Sequence, residues 1–143
     1  MKKKVISIKD MIHAIEEDLE DGKEVAFKPK GRSMLPFINA ETDEVIIKKG
    51  PIKKYDVVLF EYNDKYILHR IILKKKGVYT LRGDNCISSE SDIKKESIIG
   101  KVIGIKRKDE IIDVNARPYR LKVKLWVKLH PVIIFLKRIK NRF

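Results

Sequence analysis

Tyr66-Ile67-Leu68-His69-Arg70-Ile71-Ile72-Leu73, then Lys74-Lys75-Lys76-Gly77, then Val78-Tyr79-Thr80-Leu81-Arg82-Gly83-Asp84-Asn85, reads as a β-hairpin. Both apolar runs are rich in β-branched and aromatic residues, and Lys76-Gly77 offers the two-residue turn that glycine suits. On the first strand Ile67, His69, Ile71 and Leu73 share one face and Tyr66, Leu68, Arg70 and Ile72 the other. His69 therefore points toward an apolar face. A two-residue turn pairs Lys75 with Val78, Leu73 with Thr80 and His69 with Asp84. Residues directly opposite have Cβ atoms about 4.5 to 5.5 Å apart, close enough for a carboxylate to accept an imidazole N–H. A three-residue loop would set Gly83 opposite His69, and a four-residue loop Arg82. The ordinary alternatives are a core histidine bonded to a backbone carbonyl and an Asp84-Asn85 turn whose side chains bond local backbone.

Outward from the hairpin the same β character persists. Glu24 to Phe27, Glu44 to Ile47, Tyr55 to Tyr62, Ile98 to Ile105 and Ile111 to Val114 are short apolar runs, separated by turn chemistry at Gly50-Pro51, Asn63-Asp64 and Asp109-Glu110. Before them, Ser7 reads as an N-cap, and Ile8, Met11, Ile12, Ile15 and Leu19 recur at helical spacing until Asp21-Gly22. After Pro118 the chain has no acidic residue. Leu121, Leu125, Trp126, Leu129, Ile133, Leu136 and Ile139 mark one amphipathic basic helix with Pro131 as a kink position. The expected architecture is mainly β, an antiparallel sheet domain over residues 1–115 with an N-terminal helix, followed by a basic C-terminal helix over 116–143.

A length of 143 residues gives room for one compact domain and an appendage. The formal charge of +13 favours phosphate, anionic lipid or acidic peptides as neighbours. One cysteine, Cys86, makes no internal disulfide, and no Cys/His cluster suggests a metal. No cofactor is expected. Lys9 and Asp10 break the apolar run after Lys2-Lys3-Lys4, so an export signal is not expected, and no stretch approaches the roughly 20 apolar residues of a membrane span. The expected setting is the cytoplasm, with a peripheral place at the inner membrane face as the option that the basic tail leaves open.

A second segment carries a candidate nucleophile: Gly31-Arg32-Ser33-Met34-Leu35-Pro36. A serine hydroxyl attacks a carbonyl only when a neighbouring base takes its proton and a third group orients that base. Ser33, then His69-Arg70, then Gly83-Asp84-Asn85 supply those residue types in that order. The Ser-Met-x-Pro and His-Arg contexts resemble the S24/S26 peptidase superfamily, which contains the type I signal peptidases, and the His-Arg form resembles its archaeal and endoplasmic-reticulum branch. The resemblance runs from about Glu24 to Ile105.

It implies a signal peptidase or LexA-like β domain and a serine peptidase, with Ser33 as nucleophile, His69 as general base and Asp84 as orienting acid. Glu90 and Asp92 are the alternative acids, because the histidine branch carries a second aspartate after Gly-Asp-Asn and the spacing here differs. Met34 is expected to line the cleft, Pro36 to shape the turn, and the Gly31-Arg32-Ser33 backbone to lie at the substrate and oxyanion. Many bacterial relatives place a hydroxyl two residues before the nucleophile, where this chain has Gly31, and use lysine where it has His69. Histidine acts as a base near neutral pH without a large shift. The self-cleaving repressor relatives carry a DNA-binding region and a small-residue cleavage bond, which this sequence does not show.

Two functional classes follow. The first is a signal-peptidase-like endopeptidase whose partner is a peptide or protein precursor. The second is a non-catalytic peptide-binding or membrane-adaptor module on the same fold. The basic helix over 117–143 suits an anionic membrane surface, where each cationic side chain contributes about 1 kcal/mol, or equally packing on the β domain. Nucleic acid is disfavoured because aromatics are not interleaved with the charges.

Overall fold

The computed structural model describes residues 8–142, so the Ser7 cap falls outside the described residues. Helix α1 (Ile8–Glu20) buries Ile12, Ile15 and Leu19, three positions of the spacing read from sequence. It ends where expected. Gly22 takes φ +77°, its N–H reaches the Leu19 carbonyl at 3.0 Å, and the Lys23 N–H reaches Asp18 at 3.0 Å. This paired closure satisfies carbonyls that the helix end leaves free, and the left-handed residue it needs is cheapest as glycine.

The strands are β1 (Val25–Phe27), β2 (Asp43–Lys48), β3 (Val57–Tyr62), β4 (Lys65–Lys75), β5 (Val78–Arg82), β6 (Glu90–Lys94), β7 (Ile98–Arg107) and β8 (Glu110–Asp113). They form one sheet in the order β1-β2-β7-β3-β4-β5-β6, with β8 also paired to β7, and every described pairing is antiparallel. Both sides of the sheet carry apolar cores. One gathers α1 with Phe27, Met34, Ile38, Val45, Leu59 and Leu68. The other gathers Val58, Phe60, Ile71, Tyr79, Leu81 and Ile93. Helix α2 (Arg117–Arg142) runs through Pro131 and buries Val123 against the domain.

Strand β6 was not read from the sequence. Its residues, Glu-Ser-Asp-Ile-Lys, carry one buried apolar side chain, Ile93, because β6 closes an edge of the sheet and faces solvent along most of its length. A strand pattern needs a repeating apolar face, and an edge strand with one anchor does not show it.

The hairpin differs from expectation in one detail that moves the chemistry. The Lys76-Gly77 turn forms with positive φ at both residues, and Lys75 pairs with Val78 and Leu73 with Thr80 as read from sequence. Between Ile71 and Leu73 a β-bulge then inserts one residue, so that Ile71 pairs with Leu81 and Arg70 with Arg82. A bulge shifts all later pairing by one residue. Continued one step, this register sets Gly83, not Asp84, across from His69.

The long connection between β1 and β2 holds the Ser33 segment, and its return to the sheet is fastened by Asp43. The Asp43 carboxylate is fully buried and accepts from Arg107 Nε at 2.8 Å and Nη2 at 2.9 Å, from Asn39 N–H at 2.8 Å and from Thr42 Oγ1 at 3.0 Å. Arg107 Nη2 also reaches the Phe37 carbonyl at 3.2 Å. Hydrogen bonding from Arg107 holds the Asp43 carboxyl below its ordinary value, against the opposing effect of burial. A group whose pKa falls on folding stabilises the native state above its unfolded pKa, near 4, and loses that contribution as pH drops through the lower folded value. Asp43→Asn is expected to cost about 1 to 3 kcal/mol at pH 7. The difference from the parent protein should shrink as pH is taken below about 4, which urea denaturation followed across pH measures.

Candidate active site

His69 is buried on β4, its ring 6.2 Å from that of Phe60, and its Nδ1 lies 2.5 Å from Glu90 Oε1. Glu90 reaches it from the first position of β6, which β5 holds two strands away from β4. A carboxylate can only accept at this contact, so Nδ1 carries a proton there and Nε2 is the ring nitrogen turned away from Glu90. That nitrogen points to the place where the Ser33 loop meets Gly83. A Cβ added at Gly83 would lie 2.9 Å from His69 Nε2, 2.6 Å from the Ser33 carbonyl oxygen and 2.6 Å from Cys86 Sγ. Glycine is required here for space: the His69 ring and the serine loop occupy the volume that a side chain would take.

The serine loop is held there by the chain after β5. Asn85 donates its N–H to the Ser33 carbonyl at 2.9 Å and its side-chain amide to the Arg32 carbonyl at 3.2 Å. Ser33 is half-buried, Met34 is buried beneath it, and Gly31 takes φ +79° in the preceding turn. Arg32 and Pro36 are exposed, and the Leu35–Pro36 bond is cis. A cleft of about 480 Å³ opens beside Ser33, with Phe27, Met34, Ile38 and Leu68 giving it an apolar floor and Lys30, Asp64 and Lys65 at its rim. The Ser33 hydroxyl makes no hydrogen bond to His69.

The pairing of Asp84 with His69 expected from the hairpin does not form. The bulge carries Asp84 past the histidine, and its two oxygens accept instead from Arg70 Nε and Nη2, each at 2.8 Å. Both side chains are 2% exposed. Arg70 also donates to the Tyr55 carbonyl at 2.7 Å and stacks its guanidinium over Phe37 at 5.2 Å. Burial works against the Arg70 charge, but the Asp84 carboxylate more than offsets it and holds the guanidinium above its ordinary value. Among the three acids weighed from sequence, Glu90 is the one in contact with His69, and Asp92 is exposed.

Four contributors were not foreseen. Arg70 and Asn85 were read as motif neighbours without a task, yet they anchor the two loops of the site. Trp126 and Lys137 of α2 close over the same chain segment: Trp126 Nε1 donates to the Asp84 carbonyl and Lys137 Nζ to Asn85 Oδ1, each at 2.8 Å. His130 is buried between them on α2. Burial, then the nearby Arg82 charge, lowers its pKa. A charged residue inside an apolar strand, as Arg70 is, was the available signal.

Cys86 lies beside the Ser33 carbonyl and Gly83. Burial first, and then the Glu90 charge, push its thiol up, away from the reactive thiolate.

The Peptidase S24-like profile matches residues 3–103, most of the chain. This protein belongs to the Peptidase S24-like family. No curated protein matches it significantly. Membership accounts for the sheet from α1 to most of β7, including Ser33, His69, Asp84 and Glu90, as a peptidase-type fold. The S24-like match stops before β8 and α2, so the helix that covers the Asp84-Asn85 loop lies outside it.

Gly83→Ala tests the close approach. Relieving contacts of 2.6 Å to a backbone oxygen requires the serine loop to move, and overpacking of this kind costs about 1 to 3 kcal/mol. A thermal melt of Gly83→Ala matching the parent protein would show that the loop yields freely.

Proposed function

We propose that this S24-like protein is a serine endopeptidase of the signal-peptidase-like class that cleaves peptide or protein precursors, with Ser33 as nucleophile, His69 as general base and Glu90 as the orienting acid. The observation that supports this reading is the placement of one imidazole between two partners: Nδ1 on the Glu90 carboxylate and Nε2 facing the Ser33 loop across Gly83. Such a ring can take a proton on one side while its charge is stabilised on the other.

In the reaction, a substrate carbonyl in the cleft is attacked by Ser33 Oγ as His69 Nε2 removes the hydroxyl proton. Glu90 stabilises the imidazolium without taking the Nδ1 proton. The Ser33 N–H is the first donor to the oxyanion, and because Gly31 has no hydroxyl, a further donor has to be another N–H of this loop or of the substrate-bound chain. The imidazolium then protonates the leaving amine, and water, activated by the same nitrogen, releases the acyl group. The hydroxyl and Nε2 approach one another as substrate fills the site, since catalytic hydrogen bonds often tighten only in the bound state. The apolar floor formed by Phe27, Met34, Ile38 and Leu68 suits small or apolar side chains flanking the scissile bond.

Asp84 has a different task in this scheme. It holds Arg70 and thereby the Gly83–Cys86 turn, and it never touches the base.

Cleavage of a randomised peptide library, read by mass spectrometry, tests the assignment. Ser33→Ala and His69→Ala should abolish cleavage while the melting temperature is preserved; full cleavage by both variants would remove the proposal. The two acids separate by different readouts. Glu90→Gln should lower kcat by about 100- to 10,000-fold with little loss of stability. Asp84→Asn should chiefly destabilise, by about 3 to 5 kcal/mol, because it leaves the buried Arg70 charge uncompensated.

A further inference from the structure

Helix α2 has two faces, and the domain uses only one. Val123, Trp126 and His130 point inward, where Val123 and His130 are buried and Trp126 bonds the Asp84 carbonyl. On the opposite side Leu121, Leu125, Leu129, Val132, Phe135 and Leu136 form a continuous stripe at helical spacing, each between 50% and 60% exposed. An exposed apolar stripe of this length on a helix of 26 residues marks a surface that meets something.

Charge identifies the occupant. Between Arg117 and Arg142 the helix carries nine Lys or Arg residues and no Asp or Glu. At 100° per residue, Lys122 and Lys140 flank the stripe on one side and Lys124 and Arg138 on the other, while Lys128 lies at its margin beside Phe135. A second copy of this chain would bring an equally cationic helix against it, and like charges so arranged repel. A nucleic acid would satisfy the cations and leave the leucines and Phe135 in water. An anionic lipid bilayer satisfies both: head groups take the flanking Lys and Arg, and acyl chains take the stripe. No helix among the described residues is long and apolar enough to cross a membrane, so the contact is a helix lying in the interface.

We infer that the outer face of α2 docks this protein onto anionic bilayers, with its axis along the membrane surface and the β domain above it. The inward face remains on the domain, so the Trp126 and Lys137 contacts tie the membrane-bound helix to the Asp84-Asn85 loop. This inference stands on α2 alone and does not depend on catalysis.

The test uses the full chain with unilamellar vesicles of phosphatidylcholine alone or mixed with phosphatidylglycerol, in a sedimentation assay. Binding is expected to the mixed vesicles and not to phosphatidylcholine. The triple variant Leu125→Gln, Leu129→Gln and Phe135→Gln changes no charge and removes only exposed apolar groups; it should weaken binding about 100-fold with an unchanged melting temperature. The emission of Trp126 should not shift on binding, because its ring stays against the domain. Undiminished vesicle binding by the triple variant would overturn the inference in favour of a purely electrostatic surface that nucleic acid would equally occupy. Absence of vesicle binding, with a dimer in sedimentation velocity that the same substitutions dissociate, would assign the stripe to a second copy.

Discussion

The ion pair between Arg70 and Asp84 is the constraint on which the rest of the site depends. Two opposite charges are buried side by side, bonded through both carboxylate oxygens and both available guanidinium nitrogens. Burying such a pair gains little by itself, but breaking it leaves a bare charge in a low-dielectric interior. The pair therefore acts less as a source of stability than as a fixed joint. It joins β4, which carries His69, to the turn containing Gly83 and Asn85, and that turn in turn grips the backbone of Ser33. Phe37 completes the joint by covering the guanidinium while packing edge-on against Tyr119 at 5.7 Å and Trp126 at 6.0 Å. The loop after Ser33, the strand that carries His69 and the C-terminal helix thus meet around one cation.

This arrangement explains why the three short motifs travel together. His69 and Arg70 are adjacent in sequence and, on a strand, point to opposite faces. One faces the serine loop and the other the interior. Gly83, Asp84 and Asn85 likewise divide the work into clearance, anchoring and clamping.

Much of this was legible in the chain before folding was considered. The α1 periodicity and its Gly22 closure, the seven apolar strand runs, the Lys76-Gly77 turn and the basic C-terminal helix all follow from local chemistry, because each states its own pattern within a few residues. What escaped was non-local. The bulge between Ile71 and Leu73 has no distinctive residue, and it moved the histidine's neighbour from Asp84 to Gly83. The β6 strand was hidden because its stability comes from β5 and Ile93 and not from an alternating pattern of its own. Those two omissions together account for choosing Asp84 over Glu90.

The position of Glu90 has a mechanical consequence. The carboxylate that aligns the imidazole rides on the outermost strand, which has a neighbour on one side only, a positive φ at Asp92 and mostly solvated side chains. Edge elements of this kind open at a smaller free-energy cost than the core beside them. Detachment of five residues would leave the Arg70 joint, the serine loop and the core beneath α1 in place, and would take only Ile93 from the other core, while depriving the ring of its aligning partner. The sheet thus separates the durability of the scaffold from the alignment of the imidazole, and the second is the more easily lost.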